Sequence, residues 1–249
     1  MSDFKFNILS DLHLDFYTLN KAKQILDDVI GNVDCDYHII AGDLCECKNP
    51  NYLDLINHLN SFNTQILYVF GNHEYYHSNP TLTYIRAHAV NKFNNIKVLN
   101  NEFVDLNGVI LYGGTMWFND EPDAGVYPNM HVLNDFNLIY TNSDYFKSEN
   151  KKFFDNLIIG ECPDIIITHH VPHKQLLLYD DSEDEYDLNR YYYCDDAFKY
   201  INEHSPRFWI CGHVHKPNEI IYNKTRIINN AFGYPNEIST FSKSKILSI

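Results

Sequence analysis

No run of this sequence approaches the roughly 18 consecutive apolar residues that cross a bilayer, so no membrane partner is expected. Its opening residues show no basic region followed by a long apolar stretch, and no secretory leader is expected either. The six cysteines, Cys35, Cys45, Cys47, Cys162, Cys194 and Cys211, lack the spacing of a disulfide framework. The expectation is a reduced, intracellular compartment. Cys45-Glu46-Cys47 has no second pair at related spacing, which a structural zinc site usually needs. Lys and Arg number 19 against 33 Asp and Glu, for a net charge of −14, and the cations form no cluster. Proteins that track a nucleic acid carry a basic stripe that displaces counterions, so no extended nucleic-acid partner is expected.

What is present fits one α/β domain over residues 1–249, a length at which a large core can be buried. Aromatics are abundant, with 19 Tyr and 16 Phe, and the tyrosines are expected to pack their rings while keeping the hydroxyl polar. Phe4 to Ser10 alternates like a strand. Residues Leu19 to Ile30 carry Ala22, Ile25, Leu26 and Val29 at helical spacing, with Gly31 as the cap. Tyr37–Ala41 reads as a buried strand, Tyr52–Leu59 as a helix with Leu53, Ile56 and Leu59 inward, and Gln65–Phe70 as a third strand. This βαβαβ start predicts a parallel sheet with its active loops at the strands' C-terminal edge. Short strands come next at Ile96–Leu99, Phe103–Leu106 and Val109–Gly113, with Asn107-Gly108 as a hairpin turn. Residues 115–143 read as irregular. A helix is expected over Tyr145–Ile158 and strands over Asp164–Thr168, Phe208–Cys211, Ile220–Tyr222, Arg226–Asn229 and Lys245–Ile249.

Five motifs sit behind these strands in a fixed order: Asp11-Leu12-His13, Gly42-Asp43, Gly71-Asn72-His73-Glu74, His169-His170 and Gly212-His213-Val214-His215. Any one of them is a common short string. Their ordered placement, each at the end of an apolar run, supplies carboxylates, an amide oxygen and imidazoles to one edge. That is the donor inventory of a two-metal hydrolytic centre. In Asp11-x-His13 and His213-x-His215, alternate residues of an extended segment face the same side. The pattern resembles the calcineurin-like metallophosphoesterase superfamily from Phe6 to about Tyr234. It looks most like small microbial members with a Thr-His-His-x-Pro segment.

The resemblance implies a four-layer α/β/β/α sandwich, two facing mixed sheets flanked by helices. It implies a phosphoesterase that hydrolyses a small phosphomonoester or phosphodiester, nucleotide-type esters included, by attack of a metal-bridging hydroxide. Asp43 would bridge two ions, with Asp11, His13 and His215 on the first and Asn72, His169 and His213 on the second. Mixed oxygen and nitrogen donors suit divalent transition metals, Mn foremost and Fe, Zn, Ni or Co as alternatives, better than calcium. His73, next to a ligand, would act on the phosphate as general acid or stabilise its charge, and Glu74 would orient that imidazole or cap the next element. His170, Asn189 and Asn230 are the candidate substrate contacts. The relatives' late Asn-Pro-Arg-Gly-Tyr-Pro is Asn230-Ala231-Phe232-Gly233-Tyr234-Pro235 here, so their arginine is missing, and His173 stands where they often carry Ser. The acidic run 179–187 reads as a solvated loop, or as a lid that repels large polyanions. Two rivals remain at this level: a binding module that has lost catalysis, and a nuclease or protein phosphatase. The second would show a basic groove or the Arg of Gly-Asp-x-x-Asp-Arg-Gly, whereas Gly42-Asp43 runs into Leu44-Cys45-Glu46-Cys47.

Overall fold

Alternation in the strands decides how the layers stack. In β1 (Lys5–Leu9), Phe6 and Ile8 point one way and Leu9 the other; in β2 (Tyr37–Ala41), Ile39 and Ala41 oppose Ile40. The computed structural model describes residues 4–118, 133–142, 144–177, 191–237 and 239–249. With β3 (Gln65–Val69), β4 (Ile96–Leu99) and β11 (Ile246–Ser248), these strands form a sheet in the order β11-β1-β2-β3-β4, parallel except for β11. A second sheet has the order β5-β6-β7-β8-β10-β9, from β5 (Glu102–Leu106), β6 (Val109–Gly113), β7 (Ile165–Ile167), β8 (Phe208–Cys211), β9 (Asn218–Tyr222) and β10 (Thr225–Asn229). Its inner strands β6, β7, β8 and β10 are parallel, and β5 and β9 close its edges antiparallel.

Between the sheets lies a core of Phe6, Ile8, Ile39, Leu67, Leu111, Ile165, Ile210 and Ile228, the inward members of each alternation. Outside the first sheet, Leu9, Ile40 and Tyr68 pack under α1 (Leu19–Leu26), α2 (Tyr52–Asn60) and α3 (Pro80–Val90). Outside the second, Tyr112, Ile166 and Trp209 pack under α5 (Asp144–Ile159) and α6 (Asp195–His204). The result is the expected four-layer α/β/β/α sandwich. No helix of the described residues is long and apolar enough to cross a membrane.

Local details depart from the sequence reading. Leu53 is 46% exposed, and Tyr52 and Leu55 take the inward positions of α2 beside Ile56 and Leu59. Gly31 ends the first helix, through a π turn at Asp27–Gly31, without a left-handed backbone; a Cβ there would meet the Phe62 ring at 2.9 Å. Helix α3 and the short α4 (Asn134–Leu138), inside the stretch read as irregular, lack a broad apolar stripe: α3 buries only Thr83, Ala87 and Val90, whereas α6 does carry Ala197, Tyr200 and Ile201 inward at helical spacing. The Asn107-Gly108 hairpin forms as expected, with both residues at positive φ. Cys45 and Cys47 are buried in the core, where burial pushes both thiols up, away from the thiolate a metal needs.

Candidate metal centre

All the parallel strands that carry motifs end at one rim. Asp11 and His13 follow β1, Asp43 follows β2, Asn72 and His73 follow β3, His169 follows β7, and His213 and His215 follow β8. The chain turns sharply there: Asp11, His13, Asp43 and His213 all have left-handed backbone, with φ of 54°, 43°, 55° and 68°. Non-glycine residues adopt that conformation at a cost, and its concentration in one place marks a functional site.

The side chains gather into three overlapping groups, one of which joins His13 to Asp15 and His73. Asp11, His13 and His215 form a second and Asp43, His169 and His213 a third, each with ligand atoms within 4.8 Å of one another. Asp43 Oδ2 lies between the second and the third, 3.3 Å from His169 Nε2 and 3.8 Å from His13 Nε2. His13 Nε2 and His215 Nε2 face each other at 2.9 Å, and His215 Nε2 is 3.5 Å from Asp11 Oδ1. Asn72 Oδ1 reaches 2.9 Å from His169 Nε2. The remaining ring nitrogens set the tautomers. His169 Nδ1 donates to the Ala41 carbonyl at 3.0 Å, and His215 Nδ1 to Glu237 Oε2 at 2.7 Å, so each Nε2 keeps its lone pair for an ion. Ring nitrogens and carboxylates gathered in this way could hold metal ions, and their mixed nitrogen and oxygen donors fit divalent transition metals.

The neighbouring carboxylates call for positive charge at these rings, and a proton meets that call where a metal ion does not. Burial opposes charge on His169 and His215, but Asp43 and Asp11 override it, raising His169 to about 10 and His215 to about 9. Burial instead pushes His13 and His170 down to about 3. Asp43 stays far below the usual carboxylate range: burial works against it, and His169 and His73 pull it down.

Three residues support the site in ways the sequence did not reveal. Glu74 neither orients His73 nor caps a helix. Its buried carboxylate accepts from the backbone N–H groups of Asp43, Leu44, Cys45 and Gly71 and from the Tyr68 hydroxyl, at 2.6–3.2 Å. Burial and the Asp43 charge push its carboxyl up to about 7. Four backbone N–H groups that can only donate nonetheless favour the anion. It ties the Asp43 loop to the Gly71 loop, where a Cβ on Gly71 would fall onto Asp43 Oδ1. Tyr234 is the second support: its hydroxyl meets His73 Nε2 at 3.0 Å and its ring stacks on His13. The third is Glu237, which also accepts from Tyr234 N–H at 2.8 Å.

The expected substrate contacts fare differently. Asn230 is buried and its amide is committed to backbone, donating to Ile8 and Ser242 carbonyls and accepting from Ser242 N–H, so it braces the first sheet and does not line the cavity. His170 is buried behind His213, at 4.4 Å between rings, against Trp117 and Phe118, and it does not line the cavity either. Asn189 and the acidic run 179–187 lie outside the described residues. The cavity over the ligands, about 300 Å³, is walled by Tyr76, Tyr191, Tyr192 and Tyr234 together with Asp43, Asn72, His73, Asp135 and Glu237.

A family model described as calcineurin-like phosphoesterase matches residues 4–217. The chain belongs to that family. That family membership supports a hydrolase acting on phosphate ester bonds. An uncharacterized protein of Acanthamoeba polyphaga mimivirus is 25% identical over 97% of this chain and 95% of its own. An uncharacterized metallophosphoesterase of Campylobacter jejuni is 34% identical over 45% of this chain and 29% of its own length. The phosphopantetheinyl hydrolase of Mycobacterium tuberculosis has the same fold, with a TM-score of 0.73 at 14% identity over 94% of this chain and 91% of that one.

Proposed function

We propose that this metallophosphoesterase hydrolyses a small phosphomonoester or phosphodiester, nucleotide-type esters included, at a centre of two divalent transition-metal ions, Mn foremost. The observation that carries the reading is Asp43 Oδ2, set between His13 Nε2 and His169 Nε2. A carboxylate so placed can bridge two ions. Asp11, His13 and His215 would hold the first, and Asn72, His169 and His213 the second. Two such ions lower the pKa of a bound water towards ~7 and offset charge on the phosphoryl group. The chain supplies the rest. His73 lines the cavity with Nε2 3.0 Å from the Tyr234 hydroxyl, and it would serve as the group that gives a proton to the departing oxygen. The tyrosine walls suit an ester with a flat ring.

A catalytically silent binding module of the same fold is the weaker reading, because every ligand and the His after Asn72 are retained. The discriminating experiment is hydrolysis of a chromogenic phosphodiester after prolonged dialysis against chelator. Activity falls to background and returns with Mn²⁺ better than with Ca²⁺. Full turnover in excess chelator would end the two-metal reading. A panel of phosphomonoesters, cyclic nucleotides and dinucleotides then narrows the substrate, with a phosphopantetheine ester included because of the shared fold.

A further inference from the structure

Asn72 is the one neutral amide in the candidate ligand set, and an amide has a right and a wrong end. Its Oδ1 must face the ion, since an NH₂ group has no lone pair to offer. In this protein both amide hydrogens are taken on the far side. Nδ2 donates to Asp135 Oδ1 at 2.7 Å and to the Tyr76 hydroxyl at 2.8 Å, and Tyr76 passes its own hydrogen to the same Asp135 oxygen at 2.8 Å. The triangle is closed, and all three residues are buried. Turning the amide over would set its carbonyl against the Asp135 carboxylate and lose both donated bonds.

We infer that Asp135, together with Tyr76, is a positioning residue that fixes the orientation of Asn72 and thereby builds the second ion's site. The inference rests on the dinuclear reading above. Asp135 lies in the first turn of α4, 63 residues from Asn72, in a stretch whose sequence reads as irregular. It is delivered firmly all the same. Directly after α4, Ile139 bridges Ser78 and Tyr140 N–H donates to the Ser78 carbonyl at 2.7 Å, clamping α4 to the loop that carries Tyr76. Partners that orient a metal ligand from behind typically contribute about 10–100-fold to metal affinity.

Calorimetric titration with Mn²⁺ tests this on the wild-type protein and on Asp135→Leu, Asp135→Asn and Tyr76→Phe, each checked for a cooperative melt. Asp135→Leu should bind its second ion about 10–100-fold more weakly while the first binds as in the wild type. Asp135→Asn keeps an acceptor oxygen for both donors and should recover most of the loss. If Asp135→Leu does not fold, Tyr76→Phe decides: selective weakening of the second ion supports the triangle. Wild-type affinity at both sites, or equal weakening of both, overturns the inference. A wild-type protein that binds a single ion fails in its own titration, before any variant is read, and that outcome removes the dinuclear reading together with this one.

Discussion

Around His169 the candidate ligands are held from inside the protein, and around His215 they are held from its rim. His169 is fixed by the Ala41 carbonyl and Asn72 by Asp135 and Tyr76, all buried. His215 is fixed by Glu237, whose side chain is 40% exposed. The donor chemistry of the two groups is alike, so the difference lies in what water can do to the supports. A hydrogen bond at the rim competes with solvent and is screened by salt, whereas a buried one opens only when the surrounding packing opens. The first ion is therefore expected to exchange with solution more readily than the second. Glu237 also braces Tyr234, which touches His73, so the looser half of the centre is the half that adjoins the proposed proton donor.

The largest effect should come from the residue that both halves share. Asp43→Asn is expected to lose most activity and at least one ion while the fold survives, as read by metal analysis beside circular dichroism. Two ions at full occupancy with near-normal turnover would show that the halves do not meet at Asp43. Next, His73→Ala should keep both ions and lower kcat by about 10²–10⁴-fold for an ester with a poor leaving group. A nitrophenyl ester should suffer less, because nitrophenolate departs without a proton. Single-turnover rates at saturating metal make the comparison; equal losses would recast His73 as a stabiliser of phosphoryl oxygens. The smallest of the three sharpens the contrast itself. Glu237→Gln should weaken the first ion by about tenfold, the lower end of what such supports contribute, and leave the second untouched. Weakening of the second ion in a Mn²⁺ titration would break the distinction between rim and interior.

Much of this molecule was legible because its signals are local. Apolar runs marked the strands, and polar residues directly after them marked the candidate ligands Asp11, His13, Asp43, Asn72, His169, His213 and His215. The supports were not legible because they act across the chain. Asp135 serves a residue 63 positions away, Tyr234 one 161 away and Ala41 one 128 away, and no spacing rule connects them. Glu74 was placed by its neighbourhood in the motif, yet its carboxylate turns back to the Asp43 loop, 31 positions earlier. Leu53 failed for a different reason. Ile56 and Leu59 face inward as read, and the stripe they share at helical spacing continues through Leu55 and Tyr52, which leaves Leu53 outside it.

The left-handed turns at Asp11, His13, Asp43 and His213 bear on the heat resistance of this protein. Each such residue costs about 1–3 kcal/mol to hold in place, in a molecule whose whole margin against unfolding is typically about 5–15 kcal/mol. Ions that bind only the folded chain add about 2.7 kcal/mol apiece at a hundredfold excess over their Kd. Metal bound as proposed would act as ballast for the fold as well as equipment for the reaction. Stripping it in purification, storage or a starved cell would shorten the protein's life at elevated temperature, independently of any effect on turnover.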